Sequence, residues 1–260
     1  MTAMAADIDL QGDRESELMH ALATVRSRLA AASQAAGRNV GEIELLPISK
    51  FFPATDVAIL SRLGCRSVGE SRAQEASTKA AEFAELLGVS REEKSSIHWH
   101  MVGQIQRNKV RSLAQWAHTA HSIDSLQLVA ALDRAVAAAL AGGRREQPLQ
   151  VYVQISLDGD ISRGGVNVTA PGAVDRVCAQ VEESKSLELV GLMGIPPLGW
   201  NPDQAFEQLR LEHRRVLRSH PDAIGLSAGM SNDFEIAVKH GSTCVRVGTA
   251  LLGPSRLRSP

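Results

Sequence analysis

The run LLPISKFFP, residues 45–53, ends an apolar alternation on a single lysine. Alternation puts Leu46, Ile48 and Lys50 on one face of a strand and Leu45, Pro47 and Ser49 on the other. A lysine that closes a strand beside Phe51 and Phe52 can act as a carbonyl-capturing amine. Partial burial there would disfavour its ammonium form and make the neutral nucleophile accessible. Taken alone, the strand fits a surface lysine at a loop start better. Two later segments carry glycine turns. LSAGMSND (226–233) reads as strand end, turn and helix start, with Asn232 and Glu235 spaced as a capping box and Gly241 as the stop. VRVGTALLG (245–253) runs from a strand into Gly248-Thr249. Free N–H groups at such turns, with the hydroxyls of Ser227 and Thr249, can hold a phosphate. Arg246 faces opposite Val245 and Val247 and so points inward. It needs an acceptor, either a carboxylate such as Glu44 or Glu70 or a ligand atom such as a ring nitrogen.

Other signals are weaker. His98 and His100 form an HxH that could read as a metal pair. A metal-dependent hydrolase would need further ligands at later strand ends, whereas His213 and His220 fall in or beside a helix, so no metal is expected. Arg107, Lys109 and Arg111 read as a solvated basic face without aromatic interleaving, and Trp116 and Trp200 as packing residues.

The elements that must position these residues alternate along the chain. Strands are expected at 43–49, 66–69, 97–102, 119–122, 149–156, 187–193, 223–227 and 243–247, and helices at 54–62, 71–87, 125–141, 171–184 and 201–219. A longer helix, 15–36, precedes the first strand. Eight strands with helical crossovers in 260 residues favour a single (β/α)8 barrel of the TIM type over the alternative, an open doubly wound sheet, and put the phosphate turns after strands seven and eight. Pro47 lies inside the first strand and predicts a local bulge. One domain spans 1–260, with 1–12 and 254–260 loosely held.

Lys plus Arg (28) nearly balance Asp plus Glu (29), so no strong field is available for nucleic acid or an anionic membrane. No signal peptide is expected, and the longest apolar stretch, near 135–141, is too short to span a bilayer. Cys65, Cys178 and Cys244 are widely spaced and odd in number, as in a cytoplasmic protein with reduced thiols.

The runs LLPISK, VGESRAQE (68–75), WHMVGQIQRNK (99–109), HSIDS (121–125), GLMGIP (191–196), LSAGMSNDFEIAVKHGST (226–243) and VRVGTALLG occur in one order. In this the chain resembles the pyridoxal phosphate homeostasis protein family, single-domain relatives of the alanine racemase N-terminal barrel (pyridoxal fold type III). The resemblance implies that Lys50 carries pyridoxal 5′-phosphate as a Schiff base, an internal aldimine. It implies that Arg246 faces the pyridine nitrogen and that Ser227, Gly248 and Thr249 hold the phosphate, with Gly229 and Ser231 in the same pocket. Ser71 stands near the cofactor where the family carries Asn, which shortens that contact; Arg163 replaces a lysine and Ala228 a methionine. The implied function is a cytoplasmic, monomeric role in vitamin B6 homeostasis without strong turnover, serving apoenzymes or amino acids. The alternative is a racemase or decarboxylase of the same barrel. Alanine-type racemases draw a second base, a tyrosine, from a C-terminal domain, whereas this chain has one tyrosine, Tyr152, in its fifth strand.

Overall fold

A computed structural model describes residues 2–88 and 97–254, with side chains from residue 12 onward. Strands and helices alternate: α1 (Thr2–Ala35), β1 (Glu44–Pro47), α2 (Ala54–Arg62), β2 (Ser67–Glu70), α3 (Ala73–Leu86), β3 (His98–Met101), α4 (Val110–Trp116), β4 (Thr119–Ile123) and α5 (Leu126–Ala141). The second half continues with β5 (Leu149–Ser156), β6 (Val166–Asn167), α6 (Ala173–Glu183), β7 (Leu187–Met193), α7 (Pro202–Val216), β8 (Gly225–Ser227), α8 (Phe234–Lys239), β9 (Cys244–Val247) and α9 (Thr249–Leu252).

Eight strands lie in the order β1-β9-β8-β7-β5-β4-β3-β2, every pairing parallel. A bridge between Ile48 and Gly69 closes β1 onto β2, and Ser49 N–H donates to Gly69 O at 2.9 Å. The expected barrel is therefore present, with all eight anticipated strands. The two-residue β6 is an addition that pairs with the end of β5.

Leu46, Ile48 and Cys244, with Val102, form the apolar filling inside the barrel. Outside it, Leu18, Leu22, Val25 and Leu29 of α1 recur at spacings of four, three and four. They share one buried cluster with Phe234, Val238, Leu251 and Leu252. Full burial of each such side chain stabilises by about 1.5–3 kcal/mol, so α1 is an anchored part of the barrel wall.

Four expectations need correction. Helix α1 begins at Thr2 and not near Glu15. Helix α4 was not anticipated, because its seven residues are too few for a clear helical period. The cap of α8 is Asp233, not Asn232. Asp233 Oδ1 accepts from Met230 N–H, and Glu235 pairs with Arg28 instead of reaching back to a cap. Pro47 causes no bulge: β1 pairs with β9 in unbroken register, Pro47 opposite Val247. Glu44 and Ile48 donate to β9, whereas Ser49 donates to β2. Position 47 therefore turns its missing donor toward β2, where β1 is bonded only from Ile48 onward. Of the ends expected to be loose, 2–12 is helical and 255–260 lies outside the described residues.

The three cysteines are free and buried, and burial pushes the Cys178 thiol up to about 12. No helix among the described residues is long and apolar enough to cross a membrane.

Candidate functional site

The residues singled out above meet at the C-terminal ends of β1, β2, β8 and β9. Ile48 N–H donates to Val247 O at 2.9 Å, and a Cβ built on Gly248 would touch Ile48 Cβ at 3.6 Å. The loop after β9 thus lies directly against the strand that delivers Lys50. Lys50 is exposed, so the burial expected from sequence is absent. Its Nζ has no hydrogen-bond or ion-pair partner among the described residues and sits 5.9 Å from the Phe51 ring centroid. Arg72 stacks on that ring at 5.4 Å.

Lys50 and Phe51 are the central residues of a tight turn closed by Phe52 N–H donating to Ser49 O at 3.0 Å. Phe51 has φ +69°, in the left-handed region that costs a residue with a Cβ about 1–2 kcal/mol. The turn is held from behind. Lys79 Nζ lies 2.5 Å from Glu70 Oε1 and 2.8 Å from Ser49 O, and Ser49 Oγ donates to Glu70 Oε1 at 2.7 Å. Ser71 follows Glu70, half-buried, with its backbone against Gly103.

Two loops join beside this turn. Ser231 Oγ accepts from Ala250 N–H at 3.2 Å, and Arg246 N–H donates to Gly229 O at 3.0 Å. Gly229 has φ +90°, and a Cβ there would meet Ala237 Cβ at 2.7 Å and Phe234 Cα at 2.8 Å, so no side chain fits. Thr249 is exposed at the start of α9, with Gly248 as its cap.

Arg246 is buried, as the strand alternation predicted. Its Nη1 donates to Ser227 Oγ at 2.6 Å and its Nη2 to Gly194 O at 3.0 Å. Neither Glu44 nor Glu70 is its partner. Ser227 is therefore engaged with Arg246 and not with the Ser231–Ala250 contact. Ser227 Oγ is 2.9 Å from His121 Nδ1, His121 Nε2 is 3.0 Å from His100 Nδ1, and His100 Nε2 is 3.9 Å from Glu44 Oε1. Arg246 can only donate, so Ser227 Oγ accepts from it; a proton order from Ser227 through His121 to His100 then pairs every member. Tyr152 stacks on His121 at 4.5 Å and is buried, which pushes its phenol up.

Burial holds His100 down to about 4 and His121 well below its ordinary value. The unfolded chain therefore takes up a proton at position 100 near pH 6.5, whereas the folded barrel refuses it until about pH 4. Stability from this residue is full above pH 6.5 and is lost as pH falls toward 4, by about 3 kcal/mol. Urea midpoints measured across that window should fall, and His100→Asn, which keeps an acceptor for His121, should make the fall shallower, with His118, which burial also holds down to about 4, supplying part of what is left. An equally steep fall in the variant would contradict this assignment.

His98 and His118 stack face to face at 3.9 Å, a geometry that does not converge ring nitrogens on a metal. Among the described residues no group of three His, Cys, Asp or Glu could hold a metal ion. Arg107 and Arg111 line a groove beside α4 and α5 with Arg134 and Arg144, on the flank of the barrel.

The sequence matches the family described as alanine racemase, N-terminal domain, over residues 21–256. It is 74% identical over 258 residues to a pyridoxal phosphate homeostasis protein of Mycobacterium tuberculosis, covering 99% of this chain and 100% of that one. The protein of the same description from Escherichia coli is 35% identical, over 92% of this chain and 97% of its own. The chain belongs to the pyridoxal phosphate homeostasis protein family. Among solved structures, PipY of Synechococcus elongatus with PLP bound is similar at a TM-score of 0.75 and 29% identity, over 91% of this chain and 100% of that one. Family membership accounts for the barrel and for the motif order. Sequence reasoning did not single out Lys79, His121 or Gly194 for the site. His121 lies near the fourth strand in HSIDS and Gly194 in GLMGIP, two of the matching runs.

Proposed function

We propose that this chain binds pyridoxal 5′-phosphate at Lys50 and acts in the homeostasis of that cofactor as a carrier, not as a catalyst. The observation that carries the reading is one barrel end holding a lysine amine without a hydrogen-bond or ion-pair partner among the described residues, a buried arginine and two joined glycine turns that carry Ser231 and Thr249. These residues fit the group. Lys50 supplies the amine for its aldehyde, Arg246 a fixed cation for its ring nitrogen, and Gly248, Thr249 and Ser231 the donors for its phosphate. Gly229 lets the first turn approach closely, Ser71 lies at the rim, and Ser227 orients Arg246. When bound, the cofactor supplies a carbonyl for capture and a ring that can withdraw electrons.

Arg246 stays protonated and so discourages a proton on the ring nitrogen, which keeps that withdrawal weak. Tyr152, the single phenol of the chain, is stacked inside the barrel on His121 and cannot reach the mouth as a second base. Both features favour loading and release to apoenzymes or free amines over racemisation or decarboxylation. Three free thiols support a cytoplasmic setting, and the proposed carrier acts as a monomer.

The test separates ring from phosphate. Thr249→Ala and Ser231→Ala should each weaken pyridoxal phosphate binding about tenfold or more, since a hydrogen bond to a charged group contributes about 1.5–3 kcal/mol. Pyridoxal without the phosphate should be nearly insensitive to both. Equal losses for the two ligands would contradict the phosphate assignment. Deuterium exchange at Cα of amino acids at about 1 s⁻¹ or faster would instead favour an enzyme.

A further inference from the structure

We infer that the buried Lys79–Glu70 pair is a positioning element for Lys50, clamping the turn that aims its amine, an inference that rests on the proposed role of Lys50. All three polar groups of Ser49, the residue before Lys50, are held. Its N–H goes to Gly69 O at 2.9 Å, its Oγ to Glu70 Oε1 at 2.7 Å, and its carbonyl accepts from both Phe52 N–H and Lys79 Nζ. One ion pair therefore grips both the hydroxyl and the carbonyl of this residue. Lys79 comes from α3 and Glu70 is the last residue of β2, so the clamp ties the turn to two elements outside β1.

The pair is not arranged for stability. Glu70 Oε2 is buried without a hydrogen-bond partner among the described residues, which is costly for a carboxylate oxygen. Buried ion pairs are commonly matched or exceeded in stability by apolar residues of similar volume, so what this pair contributes is geometry. The geometry it enforces is unfavourable by itself, since Phe51 adopts φ +69° in place of a glycine. Lys50 is exposed, its amine has no hydrogen-bond or ion-pair partner among the described residues, and the ring it approaches, Phe51, belongs to the same turn. The position of its Cα is then set by the turn alone.

The test uses the full chain and the double substitution Glu70→Met with Lys79→Met, which removes both charges together and leaves no unpaired ion. Three readouts are compared with the parent. Covalent uptake of pyridoxal phosphate should slow about tenfold or more, as misplacement of a reacting group predicts. Affinity for 4′-deoxypyridoxine 5′-phosphate, which has no aldehyde, should stay within about twofold, because the phosphate loops are untouched. Amide exchange at Phe52 should accelerate about tenfold or more while that of β7 is unchanged. Equal losses for both ligands would show a merely structural pair and overturn the inference, as would unchanged uptake. If the parent itself takes up no pyridoxal phosphate, the proposed function fails. The clamp is then judged on Phe52 exchange alone, and unchanged exchange overturns it.

Discussion

Lys50→Ala should abolish covalent attachment of pyridoxal phosphate while leaving the barrel as stable as the parent. The side chain is exposed and has no hydrogen-bond or ion-pair partner among the described residues, so its loss removes no packing and no salt bridge. Such surface substitutions usually change stability by less than about 0.5 kcal/mol. The amine itself has no substitute at that position: Lys79, the lysine behind the turn, is buried and committed to Glu70 and Ser49. The phosphate loops remain, so the variant should still bind the cofactor reversibly and release it on gel filtration. Borohydride treatment should fix cofactor to the parent and none to the variant. Persistent fixation in the variant would assign the attachment to another lysine.

Gly191→Ala should be the most damaging of the single-methyl additions considered. Gly191 stands opposite Gly225 in the β7–β8 ladder with φ +158°. A Cβ there would lie 1.8 Å from Gly225 O and 2.5 Å from Gly225 C, which are backbone atoms that no rotamer change can move. Gly225 has little room of its own, since a Cβ built on it would meet Tyr152 Cε1 and Val190 O at 2.8 Å. The strands would have to separate in a barrel that has no free edge. A loss above about 4 kcal/mol is expected, a large fraction of the stability of an ordinary domain. The variant should fail to accumulate in soluble form or should unfold at far lower urea. Gly12→Ala in α1 is the matched control: nothing lies within 4 Å of that position, and alanine favours the helix. Equal behaviour of the two variants would mean that β7 and β8 are not so closely apposed.

What was legible in the sequence was local. Alternation placed Arg246 inside the barrel because its neighbours Val245 and Val247 are apolar and β9 has helices on its outer side. The glycine turns at 229 and 248 were legible because backbone freedom leaves a mark in residue type. What joins distant segments was not. Ser227 meets His121 across 106 residues, and that contact exists only once the barrel closes. Lys79 reads as one more polar position on an amphipathic helix until α3 lies against β2. The burial of Lys50 was inferred from its aromatic neighbours, but Phe51 turns left-handed and leaves the lysine outside. The effect of Pro47 depended on which neighbour its nitrogen faces, and strand order alone decides that.

The most direct test of the account is to load the purified protein with pyridoxal phosphate, reduce it with borohydride and map the modified peptide by mass spectrometry. One pyridoxyl group per chain, on Lys50, is the expected result. An unmodified chain, or a label spread over other lysines with Lys50 unlabelled, would contradict it.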